Sequence, residues 1–246
     1  MADPLDPLRA APARSAVLTD FDGTLSPIVE DFTAATPLPG VRDVLESLAA
    51  RYAIVGVISG RPLDYLVDHL GTRLRLAGLY GLEGMVDGVR VTAADAEMWR
   101  PKIDDAVDAA SARFGGLVEH KGLSATVHFR TRPELENEIR SWATTTSERT
   151  DLVLRNAKAS VELHPPVAVD KGTVVGGLAA GLDAVCFLGD DVGDLPAFAA
   201  LEVLAARGVT TVKVAVRTSE APDALLARAD VLVDGPVGAL ELLRTL

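Results

Sequence analysis

The chain has 246 residues, enough for one large domain or two modest ones with a substantial buried core. A composition of 48% hydrophobic and 24% charged residues excludes disordered and fibrous classes. With 24 basic against 35 acidic residues, a net charge of −11, the chain is unsuited to nucleic acid or anionic lipid, which reward basic surfaces. The single cysteine, Cys186, lies in an apolar run and reads as a buried structural thiol, so nothing requires an oxidising compartment. No run of 18 apolar residues marks a membrane span. Residues 1–16 lack the apolar centre of a signal peptide and carry Pro4, Pro7 and Pro12, so a loose leader on a cytoplasmic protein is expected.

In chain order, 16–19 is a short apolar run broken by Asp20-Phe21-Asp22-Gly23-Thr24, the pattern of a buried strand ending in a polar turn. Val41, Val44, Leu45 and Leu48 recur at helical spacing and predict a helix over 41–51. A second apolar run, 53–58, stops at Ser59-Gly60-Arg61-Pro62. A helix over 63–70 follows, opened by Pro62, and 74–79 is a third strand. Gly78, Gly81, Gly84 and Gly88 then loosen the chain. The middle repeats a helix followed by a strand pair: helix 94–114 with strands 117–119 and 125–129, then helix 133–142 with strands 152–154 and 160–163. After Pro165-Pro166, helices at 171–180, 195–206 and 237–246 alternate with strands at 184–188, 211–216 and 231–233. Continuous apolar strands alternating with helices predict a doubly wound, mostly parallel α/β sheet covered on both faces. The expected organisation is a leader over 1–16, a Rossmann-like core from 17–81 plus 166–246, and an inserted α+β module over 82–165.

Ligands of open α/β sheets collect beyond the carboxyl ends of the strands. The polar residues that stop the predicted strands are Asp20 and Asp22, Ser59, and Asp190, Asp191 and Asp194, with Lys171 opening a helix. Carboxylates repel unless a cation joins them, and an all-oxygen set favours Mg²⁺, which also binds phosphate oxygens. Gly23 permits the turn that lets Asp20 and Asp22 reach one cavity. There one acid suits nucleophilic attack and the other proton transfer. Each residue also has a plainer reading: Asp and Ser cap helices and turns, and Arg61 pairs with a surface acid. His120, His128 and His164 show no metal-ligand spacing, and His128 reads as a strand residue.

The order Asp-Phe-Asp-Gly-Thr at 20–24, Ile-Ser-Gly-Arg at 58–61, Asp-Lys-Gly at 170–172 and Gly-Asp-Asp-Val-Gly-Asp at 189–194 resembles the haloacid dehalogenase phosphatases. The resemblance implies Asp20 as nucleophile, Asp22 as acid and base, and Ser59 and Lys171 as phosphate ligands. It also implies Mg²⁺ held by Asp20, Asp22 (through its backbone carbonyl) and Asp190, with Asp191 and Asp194 as supporting acids. The long stretch between Ser59 and Lys171 is similar to the class whose cap follows the second motif. Within that class, the segments 20–28, 119–130 and 158–166 resemble the trehalose-6-phosphate phosphatase family. That likeness implies Glu119, Lys121, Lys158 and Glu162 as cap residues gripping sugar hydroxyls, with Arg61 and Glu83 as further substrate contacts. The chain departs from the family pattern at Tyr80 (usually His), Ala157 (usually Gly), His164 (usually Arg) and Gly193-Asp194-Leu195 (commonly Thr-Asp-Glu). The expected reaction is Mg²⁺-dependent hydrolysis of a sugar phosphate, foremost trehalose 6-phosphate, through an aspartyl phosphate. The alternatives are a phosphatase for sucrose phosphate, mannosylglycerate phosphate or another small ester, and a non-catalytic sugar-phosphate-binding protein.

Overall fold

A computed structural model describes residues 3–29, 34–156, 159–219 and 221–246. The strands are β1 (Ser15–Thr19), β2 (Ile54–Ile58), β3 (Arg75–Gly78), β4 (Glu83–Val86), β5 (Val89–Thr92), β6 (Val118–His120), β7 (Ala125–His128), β8 (Val153–Asn156), β9 (Ser160–His164), β10 (Ala184–Gly189), β11 (Thr210–Arg217) and β12 (Val231–Asp234). The chain forms two compact units, Met1–Val91 with Val169–Leu246, and Thr92–Ala168.

The first unit holds an eight-stranded sheet in the order β12-β11-β10-β1-β2-β3-β4-β5. From β12 to β3 every neighbouring pair is parallel, and β4 turns antiparallel against β3. All five residues of β1 and all six of β10 are buried, as continuous apolar runs between two helical layers demand. Val17, Val57, Cys186, Leu188 and Val214 pack with the helices Val41–Ala49, Leu63–Leu70 and Gly235–Arg244. Ala16, Leu18, Val185 and Phe187 face the helices Lys171–Leu178 and Leu195–Ala206. Burial pushes the Cys186 thiol up to about 12, so it is an inert packing residue.

Two expectations need correction here. The leader is not loose: Asp6–Ala10 is a short helix whose Leu8, with Leu5 before it, enters the first core cluster. Arg9 also donates from Nε to the Thr245 carbonyl at 3.0 Å. The segment after Gly81 is not a loop of the insert, because β4 and β5 extend the large sheet. Gly84 and Gly88 obscured this hairpin: Gly88 turns it at φ +77, and at Gly84 a Cβ would come within 3.1 Å of Val91.

The second unit is a four-stranded sheet, β6-β7-β9-β8, antiparallel throughout. The helices Arg100–Phe114 and Glu136–Thr150 cover one face, where Ile103, Ala106, Ala110, Ile139 and Ala143 meet Ala125, Val127, Val161 and Leu163. Side chains alternate across a strand, so the other face carries a polar row in register: Glu119, Thr126, Glu162, Arg155. Among the described residues, no helix is long and apolar enough to cross a membrane.

Candidate active site

The order of the large sheet reverses at β1, which lies between β10 and β2, and such a switch point opens a crevice at the carboxyl ends of the strands. Asp20 follows β1 directly, and its amide donates to the Leu188 carbonyl of β10 at 2.8 Å. The chain then turns sharply: the Leu25 and Ser26 amides both reach the Phe21 carbonyl, at 2.8 and 3.0 Å. Gly23 makes the turn at φ +76, and a Cβ there would come within 2.1 Å of Asp190 Oδ2. Only glycine lets this backbone lie against the Asp190 carboxylate.

Lys171 begins the helix Lys171–Leu178, fixed by a capping box in which the Thr173 amide donates to Asp170 Oδ1 at 2.7 Å and Thr173 Oγ1 accepts from the Asp170 amide at 2.9 Å. The buried Nζ donates to Asp20 Oδ1 at 2.7 Å and to Asp194 Oδ1 at 2.6 Å. Asp194 Oδ2 accepts from the amides of Asp190 and Asp191 at 2.8 and 3.0 Å, which ties the loop after β10 to the lysine. Burial pushes the Asp20 carboxyl well up, and Lys171 only partly opposes it. Burial likewise raises Asp190 to about 8, helped by the neighbouring Asp194 and Asp191. For Lys171 burial acts against the charge, but Asp194 and Asp20 outweigh it and hold the ammonium well above the ordinary lysine range.

Asp20, Asp190 and Asp194 present oxygens that all lie within 4.8 Å of one another. Asp190 Oδ2 accepts from Thr218 Oγ1 at 3.1 Å, while Asp190 Oδ1 is buried with no hydrogen-bond partner. A buried, all-carboxylate set with an orphaned oxygen fits a hard divalent cation. Of the five acids expected to gather, these three do. Asp191 is exposed, and the Asp22 carboxylate is engaged elsewhere, by Arg61 Nε at 2.7 Å and Nη2 at 2.8 Å. Ser59 ends β2 as expected, buried, with its Oγ accepting from the Arg61 amide at 3.2 Å. Glu83 is drawn to a helix instead: its Oε2 accepts from the Leu63 amide at 3.1 Å, at the start of Leu63–Leu70.

In the second unit, Lys121 Nζ lies 3.8 Å from Glu119 Oε2 and 3.8 Å from Glu162 Oε2. His128 Nε2 is 2.8 Å from Glu119 Oε2, so this histidine orients one of the acids and is more than a strand residue. Lys158 and Ala157 lie outside the described residues.

The family profile of the trehalose-phosphatases matches residues 18–230. The chain belongs to the trehalose-phosphatase family. It is 32% identical over 207 residues to a trehalose-phosphate phosphatase of Mycobacterium leprae, covering 76% of this chain and 47% of that protein. It is 33% identical over 211 residues to that of Mycobacterium tuberculosis, covering 80% and 53%. The chain thus spans about half the length of the curated relatives it matches. Its fold is shared with the C-terminal domain of C. albicans trehalose-6-phosphate phosphatase (TM-score 0.79, 24% identity, 98% of this chain and 94% of that one). It is also shared with Aspergillus fumigatus trehalose-6-phosphate phosphatase (TM-score 0.65, 25% identity, 99% and 97%).

Two departures of this chain from the family pattern have structural consequences. Tyr80 sits at φ 60 between Leu79 at φ 50 and Gly81 at φ 109, a run of left-handed residues after β3. Its ring lies over Gly60, where a Cβ would come within 2.6 Å of the Tyr80 hydroxyl oxygen. His164 is buried at the end of β9, and neither ring nitrogen has a hydrogen-bond partner. Burial, then Arg155, lowers its pKa to about 4; the Pro165 backbone pulls weakly the other way without making a hydrogen bond of normal geometry. Thr218, which serves Asp190 from beyond β11, carried no sequence signal. Thr126 had one, since it alternates onto the face of Glu119 and Glu162.

Proposed function

We propose that the chain hydrolyses trehalose 6-phosphate to trehalose and phosphate, with Mg²⁺ as the metal and a phosphorylated Asp20 as intermediate. The observation that carries this reading is the buried pair Lys171–Asp20 beside Asp190, at the carboxyl ends of adjacent parallel strands in a chain of this family. Asp20 and Asp190 would hold the cation, with Asp194 bracing both Lys171 and the loop of Asp190. When bound, the metal neutralises charge on the phosphate oxygens, so that an anionic nucleophile can approach.

Asp20, oriented by Lys171, attacks phosphorus, and the bond from phosphorus to the sugar oxygen breaks. Asp22 delivers a proton to the departing oxygen. It then takes a proton from a water that attacks the phosphorus of the aspartyl phosphate, and the bond to Asp20 breaks, releasing phosphate. Ser59 and Lys171 bind phosphate oxygens throughout. Residues 92–168 act as the specificity unit, in which Glu119, Lys121, Lys158 and Glu162 bind sugar hydroxyls, groups that both donate and accept. The enzyme works in the cytoplasm on a small-molecule ester.

The test is a panel of phosphate esters with and without Mg²⁺. A higher kcat/KM for trehalose 6-phosphate than for glucose 6-phosphate, sucrose phosphate and mannosylglycerate phosphate supports the reading. Metal-independent turnover, or an Asp20→Asn variant with near-normal rate, overturns it.

A further inference from the structure

The two acids of Asp20-Phe21-Asp22 are held by opposite means. Asp20 is buried on a lysine, a point charge, whereas Asp22 is 38% exposed in its side chain and meets an arginine with both oxygens engaged. A two-pronged guanidinium contact fixes the plane of a carboxylate as well as its place. Arg61 is itself confined. Its side chain is 12% exposed, and its guanidinium carbon lies 4.8 Å from the centre of the Tyr65 ring.

Tyr65 is locked from three sides. Its hydroxyl donates to the Ala35 carbonyl, and His69 packs on its ring at 4.3 Å while a His69 nitrogen bonds the Tyr65 carbonyl at 2.8 Å. Phe21 meets the ring edge-on at 5.5 Å. Phe21 is fully buried and is the residue between the two acids. The contacts therefore close a loop, from Asp22 through Arg61, Tyr65 and Phe21 back to Asp22. The arginine fork, which could serve a phosphate, is committed to a carboxylate.

We infer that Arg61, backed by Tyr65, is the positioning residue of the acid/base carboxylate Asp22, and that it is not a ligand of the substrate phosphate. This rests on the reading of Asp22 as acid and base given above. Proton delivery depends on reach and angle, and a misplacement of about 1 Å costs on the order of 100-fold. A sugar oxygen leaves poorly without a proton, whereas p-nitrophenolate leaves without one. A positioning role therefore acts on the first ester and spares the bond-breaking step of the second. A phosphate ligand acts on both.

Single-turnover release of the first product is measured on the full chain with saturating Mg²⁺, for trehalose 6-phosphate and p-nitrophenyl phosphate. Arg61→Met is expected to slow release of the sugar about 10- to 100-fold. Release of nitrophenolate and KM for both esters should stay within about threefold. Tyr65→Leu should give a smaller loss of the same kind and add little to Arg61→Met, and Arg61→Met should add little to Asp22→Asn. If Arg61→Met fails to fold, Arg61→Lys, which keeps the charge and loses the fork, is expected to show a partial loss on the sugar ester alone. Equal slowing of both esters, a large rise in KM, or effects that multiply with Asp22→Asn would overturn the inference and return Arg61 to the phosphate. An unaltered chain that turns over neither ester removes the phosphatase reading itself, a result distinct from any of these.

Discussion

Lys171 and Lys121 each stand between two acids, and both are nearly buried, at 3% and 9% side-chain exposure. Lys171 touches its acids at 2.7 and 2.6 Å, while Lys121 keeps 3.8 Å from each of its own. The difference runs through the two units. In the first, the charged groups of the cluster interlock through backbone amides, a capping box and Thr218. In the second, Ser124 Oγ, Thr126 Oγ1 and both His164 nitrogens are buried without partners, whereas in the first cluster only Asp190 Oδ1, the oxygen suited to a cation, is so among the described residues. Chemistry at phosphorus benefits from dipoles and charges fixed in advance, because nothing must then reorganise during the reaction. Recognition of a hydroxyl-rich molecule needs donors and acceptors that are not already satisfied by the protein.

The largest effect should come from Lys171, with Lys121 as its contrast. Lys171→Met leaves buried carboxylates unpaired and is expected to abolish turnover and cost about 3–5 kcal/mol in denaturant unfolding. Lys121→Met should raise KM for the sugar ester about tenfold and cost less stability than Lys171→Met, because its acids stand 3.8 Å away. Equal destabilisation by the two would erase the contrast. Next in size is Gly23→Ala, whose Cβ is driven into Asp190; we expect a loss above about 2 kcal/mol and weaker Mg²⁺ binding by calorimetry. Gly88→Ala is the control, with a similar φ of +77 but no atom within 4 Å, and should cost only about 1 kcal/mol.

The units should also respond to pH with opposite signs. Asp190, held near 8 by burial when folded against an ordinary value near 4, favours the chelated fold below pH 4 and loses that contribution as pH rises through 8. His164, lowered by burial to about 4 from 6.5, contributes above pH 6.5 and loses its contribution as pH falls toward 4. Amide exchange in chelator should therefore quicken in β10 on raising pH beyond its intrinsic base dependence, with Mg²⁺ restoring most protection at the alkaline end. In β9 the corrected protection should instead fall on acidification. Loss in the same direction in both strands would contradict the pKa directions. The smallest effect is expected for Thr126→Val, which removes an unpartnered hydroxyl and should lie within about 1 kcal/mol of neutral. Thr218→Val, which strips a donor from Asp190, should cost about 1 kcal/mol or more.

Much of this was legible in the residues. Strands β1 and β10 are apolar runs stopped by aspartates, and a parallel sheet brings such stops together whatever the length of chain between them. The family pattern drew attention to Lys171, whose Nζ donates to Asp20 Oδ1. What spacing cannot show is pairing. Arg61 looked available to a substrate, and only the fold brings Asp22, 39 positions away, onto its fork. Glu83 was drawn off in the same manner by a helix end. The helix expected to end at Trp142 continues to Thr150 through Thr144, Thr145 and Ser147, residues of modest helix propensity. Thr144 and Thr145 return their hydroxyls to the carbonyls of Arg140 and Ser141 at 2.9 and 3.0 Å, which solvates the backbone from within.

The interrupted order of the first unit also sets a timetable for synthesis. Arg14, just before β1, meets Asp183, just before β10, across 169 residues of chain. While the polypeptide emerges from the ribosome, β1 has β2 available early but must wait for β10, and its open edge is meanwhile a template for unwanted pairing. The second unit is consecutive in sequence, and its strands pair across far shorter stretches of chain than β1 and β10 do, so they have partners sooner. Asp20 precedes Lys171 by 151 residues, so it has no buried countercharge until Lys171 docks. The buried Lys171–Asp20 pair therefore forms only when the helix Lys171–Leu178 folds back beside the first strand.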